Sequence, residues 1–170
     1  KDNYPTLRYE KENTRLYIHS KYSPIKEAEA IIKKLEQDSF GEKTHFGEKT
    51  HVVFYGIGLG YHIDSFVKQY PEITFSIIEP SYEIMNHYLN ISKFADLYKQ
   101  HLIDIYVGED YGLFFESVKY RKDKELKIIE LPVYPKLFSV EYMKFLQEFN
   151  DSLKLEKITS LIFVNIYISA

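Results

Sequence analysis

The sequence predicts an α/β protein, a Rossmann-like doubly wound and mostly parallel sheet, preceded by a β-hairpin. Three observations carry that expectation. From residue 52 onward, apolar strand-like runs alternate with helix-periodic segments, and such alternation builds parallel sheets covered by helices. Three of the seven glycines, Gly56, Gly58 and Gly60, fall in one short turn between a strand and a helix. The next strand then ends in Glu79, 19 residues beyond Gly60.

Leu7 to Glu10 and Arg15 to Ser20 are short aromatic and β-branched runs, joined by the polar Lys11-Glu12-Asn13-Thr14. That pattern predicts a hairpin. Ser23-Pro24 supplies an N-cap and a first-turn proline. Ile25, Ala28, Ile32 and Leu35 follow at helical spacing, which predicts a helix from Pro24 to about Gln37. Val52 to Ile57 is continuously apolar, as befits a strand covered on both faces. Ile63, Phe66, Val67 and Tyr70 predict a helix that ends before Pro71. Strands are expected at Ile73–Ile78, Leu102–Val107 and Leu126–Leu131. Helices are expected at Ser81–Asn90, Lys93–Gln100, Gly112–Tyr120 and Val140–Leu153. Residues 155–170 fit a buried helix or a strand equally well.

Composition narrows the function classes. With 170 residues, one domain is the default. Hydrophobic residues are 45% and charged residues 28%, so the chain has the makings of a core and is not a disordered one. Lys plus Arg is 22 against 25 for Asp plus Glu, a formal charge of −3, which argues against nucleic acid as a partner. Cysteine is absent, which removes disulfides, Cys-based zinc sites and thiol nucleophiles, and suits a cytoplasmic setting. No run of apolar residues is long enough to predict a membrane span or a secretory leader. The start lacks Met and the end is apolar, so the chain reads as a segment of a longer protein. The expected organisation is a hairpin extension at 1–22, a Rossmann-like domain at 23–154, and an apolar segment at 155–170 leading to a further domain.

Residues 40–51 repeat Phe-Gly-Glu-Lys-Thr-His twice. Two copies are too few for a solenoid, and a duplication lengthening a surface loop is the expected reading. A metal site from His45 and His51 offers only two ligands where a closed zinc site takes four. No metal is expected, and His19, His62, His87 and His101 have no recognisable ligand spacing. Lys119 to Lys127 mixes both signs and reads as a solvated loop.

The candidate site is the glycine turn. Glycines permit positive φ and close approach of backbone N–H groups, and a helix N-terminus attracts anions. Glu79 at the carboxyl edge can accept hydrogen bonds from ribose hydroxyls. The expected cofactor-binding residues are Gly56, Gly58, Gly60 and Glu79, with Asp110 as a weaker addition on the same rim. Tyr61 stands where Gly-x-Gly-x-x-Gly would place its last glycine. The turn therefore looks more like that of S-adenosylmethionine-dependent methyltransferases than a dinucleotide site. Pro132-Val133-Tyr134 faintly echoes the proline-aromatic motif of some of those enzymes, whereas Phe54 stands where most have an acid. A nucleotide or an S-adenosylmethionine-like ligand is the expected occupant, and no residue reads as a catalytic base or nucleophile.

His19-Ser20-Lys21-Tyr22-Ser23-Pro24-Ile25-Lys26-Glu27-Ala28 resembles the HSKYDP-x-x-EA motif near the start of bacterial motility-associated factor (Maf) proteins, the flagellin glycosyltransferases. Ser23 replaces the usual Asp, and both cap helices. Phe54-Tyr55-Gly56-Ile57-Gly58-Leu59-Gly60-Tyr61-His62-Ile63 and Ile78-Glu79-Pro80-Ser81 resemble the next block of that family's amino-terminal region. The resemblance runs from about residue 6 to the end. It implies transfer of nonulosonic acids from CMP-activated donors to Ser or Thr of flagellin by a central domain that follows this segment. That domain's Ala-Gly-Pro-Ser-Leu-like signature is absent here, so no catalytic residue carries over. The implied partners are flagellin and the downstream catalytic domain.

Overall fold

The computed structural model describes residues 4–11, 14–35, 46–91, 101–108, 112–118 and 124–156. Asp110, the helix expected at Lys93–Gln100, the first copy of the repeat and most of the 155–170 segment lie outside the described residues. An antiparallel hairpin pairs β1 (Arg8–Lys11) with β2 (Thr14–Tyr17). Helix α1 (Pro24–Leu35) follows and buries Ala28, Ile31, Ile32 and Leu35, an i, i+3, i+4, i+7 stripe.

The main sheet holds β3 (Thr50–Tyr55), β4 (Thr74–Glu79), β5 (Leu102–Val107) and β6 (Glu125–Glu130) in the order β5-β4-β3-β6, all parallel. The chain steps outward from β3 to β5, then returns to lay β6 on the other side of β3. That reversal puts the switch point at the carboxyl ends of β3 and β6, where Rossmann-like sheets ordinarily take ligands. The intervening helices are α2 (Tyr61–Gln69), α3 (Tyr82–Ile91) and α4 (Gly112–Val118), followed by the short α5 (Tyr134–Leu137) and the long α6 (Ser139–Glu156).

Consecutive residues of β3 show the two helical layers. The Phe54 ring meets Phe66 of α2 with centroids 5.4 Å apart. Its neighbour Tyr55 stacks on Phe145 of α6 at 4.9 Å. Side chains alternate across a strand, so α2 covers one face and α6 the other. Phe114 of α4 stacks on Phe149 of α6 at 6.3 Å and joins that second layer. The doubly wound architecture follows.

The expectations for the second repeat copy are corrected. Strand β3 begins at Thr50, inside the second repeat copy. Thr50 and His51 are buried there, and His51 bridges Thr74 Oγ1 and Ser76 Oγ on β4, both at 2.9 Å. Phe46 of the same copy packs on Phe66 and Tyr70 with centroids 5.4 and 4.7 Å away. The second copy is thus integral to the core edge and is no simple loop extension. Helix α5, only four residues long, had no periodicity to announce it.

Candidate functional site

The sequence places Gly56, Gly58 and Gly60 directly after β3, and the structure gives all three positive φ, at 95°, 50° and 82°. Such angles strain any residue with a Cβ. Glycine has a second reason here, because each of the three faces a ring. A Cβ on Gly56 would stand 2.6 Å from the Tyr134 ring, one on Gly58 2.5 Å from His19 Nε2, and one on Gly60 2.7 Å from the Tyr88 ring. Gly108, after β5, is covered in the same way by Tyr82. The small residues of the rim make room for this protein's own aromatic side chains.

The backbone donors of the turn point at protein acceptors. Ile57 N–H donates to Glu79 Oε2 at 2.8 Å. Gly58 N–H donates to the Tyr134 hydroxyl at 3.0 Å, and that hydroxyl donates onward to Glu79 Oε2 at 2.6 Å. Leu59 N–H donates to His19 Nε2 at 2.9 Å. Gly60 N–H closes the turn on Ile57 O at 2.8 Å. An array of N–H groups of this kind elsewhere cradles phosphate. Here a carboxylate, a phenol and an imidazole hold the places of the anion's oxygens.

Gly56, Gly58, Gly60 and Glu79 therefore converge, as their spacing suggests. Glu79 faces inward, however. It is fully buried, and its second oxygen accepts Ser81 N–H at 2.8 Å. Ser81 Oγ in turn caps α3 by accepting Ile84 N–H at 3.2 Å. Burial pushes the Glu79 carboxyl up to about 7, against the pull of the Tyr134, Ile57, Ser81 and Gly58 donors. Burial and the neighbouring carboxylate together hold the Tyr134 hydroxyl well above the ordinary phenol range, so it stays a donor.

His19, in the motif before α1, is buried. Because its Nε2 accepts from Leu59, its proton sits on Nδ1, which lies 3.4 Å from Glu27 Oε2 of α1. The same Glu27 oxygen accepts Ser20 N–H at 3.0 Å. Ser20 Oγ then accepts the N–H groups of Tyr22 and Ser23 at 3.3 and 3.2 Å. Thr6 clasps His19 through both backbone groups, at 2.8 and 3.0 Å. The chain before the hairpin thus lies against the turn, and Tyr61 Oη ties it down at Pro5 O, 2.8 Å away. Behind the turn, His62 contacts Gly56 O through Nε2 at 3.1 Å. Its Nδ1 has no hydrogen-bond partner among the described residues. Burial, with His19 close by, lowers the His62 imidazole to about 3.

Spacing alone identified the glycines and Glu79 but missed Tyr134 and His19 as their partners. Both stood in stretches with a signal, the proline-aromatic run and the His-Ser-Lys-Tyr run. Neither stretch says that it meets the turn. Asp110 lies outside the described residues. Among the described residues no His, Cys, Asp or Glu cluster is arranged to hold a metal, and no helix is long and apolar enough to cross a membrane.

No family model matches the chain, and no solved structure matches it. The chain is 41% identical over 64 residues to an uncharacterized protein of Treponema pallidum (strain Nichols). That match covers 38% of this chain and 20% of the relative, so it spans about a fifth of the relative's length.

Proposed function

We propose that this chain is an accessory, non-catalytic domain of a flagellin-modifying glycosyltransferase of the motility-associated factor type. In this reading it works in the cytoplasm, positioning flagellin against a downstream domain that carries out nonulosonic acid transfer. One observation supports the reading above the others. The His19 motif, the glycine turn and Glu79 form one hydrogen-bonded unit with Tyr134, in which the N–H groups of Ile57, Gly58 and Leu59 are all taken. The segments that resemble the family are thus the parts that lock this fold. A rim consumed by its own side chains suits a rigid positioning module better than a cofactor-dependent enzyme.

The physical role of the unit is preorganisation. His19 joins the segment before α1 to the turn before α2, and Tyr134 joins that turn to the segment after β6. Surfaces on those elements are held in fixed relation, which lowers the ordering cost of docking a partner.

The test has two arms. The 170-residue chain, incubated with a CMP-activated nonulosonic acid and flagellin, is expected to transfer no sugar. Removing the corresponding segment from a motility-associated factor protein that carries it is expected to abolish flagellin modification, read by mass spectrometry of the flagellin. Robust transfer by the isolated chain, or unchanged modification after the deletion, overturns the proposal.

A further inference from the structure

Away from the closed rim, a cleft of about 600 Å³ opens between α1 and α2. Its volume falls within the ordinary range for small-molecule sites. Two helical faces form its walls. Helix α1 contributes Glu29 and, one turn on, Lys33; α2 contributes Asp64 and, one turn on, Lys68. Buried Ile32 lines it as well, with the rings of Tyr4 and Tyr61. The two rings meet edge to face with centroids 5.8 Å apart. Tyr61 is fixed by its bond to Pro5 O, while Tyr4 remains 50% exposed, a large ring left open to solvent.

We propose that this cleft is a binding site for a neutral pyranose sugar. Two carboxylates and two ammonium groups leave the cleft without net charge, so a phosphate or other polyanion finds no excess of cations. A wholly apolar ligand would desolvate those four groups without replacing their hydrogen bonds. A pyranose has the complementary form. One face of C–H groups lies on an aromatic ring, and a belt of hydroxyls both donates to carboxylates and accepts from ammonium groups. Tyr4 presents the ring, and Glu29, Asp64, Lys33 and Lys68 present the partners from both walls. Asp64 is exposed as a residue, yet burial of its carboxyl raises its pKa against the pull of Lys68. An added hydroxyl donor would relieve that desolvation.

The site is independent of the glycosyltransferase reading, and its test does not involve flagellin. The full chain, labelled with ¹⁵N, is titrated with methyl α-glucoside, methyl β-galactoside and N-acetylglucosamine, with inorganic phosphate and glucuronate as charged controls. At least one neutral sugar is expected to produce saturable amide shifts at Lys33, Tyr61, Asp64 and Lys68. Tyr4→Ala and Asp64→Asn are each expected to weaken that binding about tenfold or more, a difference of ~1.4 kcal/mol. Resonances of the sheet are expected to stay in place, which verifies folding of the variants. Lys33→Ala provides a third variant should Tyr4→Ala disturb the segment before the hairpin. The proposal is overturned if no neutral sugar gives saturable shifts in the tens of millimolar, if the shifts map outside α1 and α2, if the folded variants bind as well as the parent, or if phosphate or glucuronate binds more tightly.

Discussion

The carboxyl rim of the sheet and the cleft between α1 and α2 are built on opposite plans. The rim carries the sequence features that suggested ligand binding: three glycines in a turn, a helix start and an acid at the end of the next strand. It is filled by Tyr134, His19 and Glu79. The cleft carries no motif, yet it is open and lined by two tyrosines among charged and polar side chains. A glycine turn leaves room beside the backbone, and that room can be taken by an internal ring as readily as by a ligand. Which one takes it depends on side chains far along the chain.

The largest effect should come from emptying the rim. Tyr134→Ala removes the ring packed on Gly56, the donor to Glu79 and the acceptor for Gly58 N–H. A loss of about 3–5 kcal/mol in urea unfolding is expected, the range for truncating a buried aromatic. Gly56→Ala should cost several kcal/mol as well, through the clash with the ring and through its φ of 95°. In the double variant the clash is gone and only the backbone strain remains, so the two losses should fall short of additive. Strict additivity would mean that the glycine serves its dihedral alone and that the ring is incidental to it.

The pH dependence of stability sharpens the same contrast, because two buried groups of the rim act in opposite directions. The Glu79 carboxyl moves from 4.5 in the unfolded chain to about 7 in the folded one. Between those values the folded chain holds a proton that the unfolded chain has lost, so stability falls as pH rises. The His62 imidazole moves from 6.5 down to about 3. Between those values the unfolded chain takes up a proton that the folded chain refuses, so stability rises with pH. Each contributes at most about 1.4 kcal/mol per pH unit, and in the shared window of pH 4.5 to 6.5 they offset each other. Glu79→Gln should therefore uncover a rising profile through that window, and His62→Phe a falling one. Unfolding midpoints measured from pH 4 to 7.5 read this directly. A Glu79→Gln profile parallel to the parent's would show that the carboxyl does not titrate with folding.

A binding measurement puts the comparison at risk from the other side. Calorimetry of the parent chain with S-adenosylhomocysteine, and separately with CMP, is expected to give no saturable heat at millimolar ligand. Saturable heat that disappears in Glu79→Ala would mean that the rim opens to a cofactor, and the accessory-domain reading would give way to the methyltransferase or nucleotide-binding one.

Much of the fold was legible because it is written locally. Strand β5 spans the expected Leu102–Val107, and α1 starts at the expected Pro24 and buries Ala28, Ile32 and Leu35, three of the four positions whose spacing predicted it. The turn glycines and Glu79 were legible because a strand–turn–helix unit fixes their spacing. The partners that fill the turn were not, since Gly58 and Tyr134 are 76 residues apart and Leu59 and His19 are 40 apart. No periodicity links positions so distant. Thr50 and His51 were misplaced for a related reason. A polar pair reads as loop until cross-strand partners such as Thr74 and Ser76 show how it can be buried.

The smallest effect expected on stability belongs to the cleft, and there its smallness is informative. Lys33 and Lys68 are exposed, and replacing either with Ala should move the unfolding free energy by no more than about 0.5 kcal/mol. Tyr4→Ala should cost little more, since the residue is already half exposed. If the cleft is a recognition surface, these substitutions should affect sugar binding far more than they affect stability. The rim should show the reverse, with large losses of stability and no ligand to lose. Substitutions in the cleft that destabilised as strongly as Tyr134→Ala would mean that its charged walls hold α1 against α2. In that case both regions would be structural, and the functional surface would have to be sought elsewhere on the molecule.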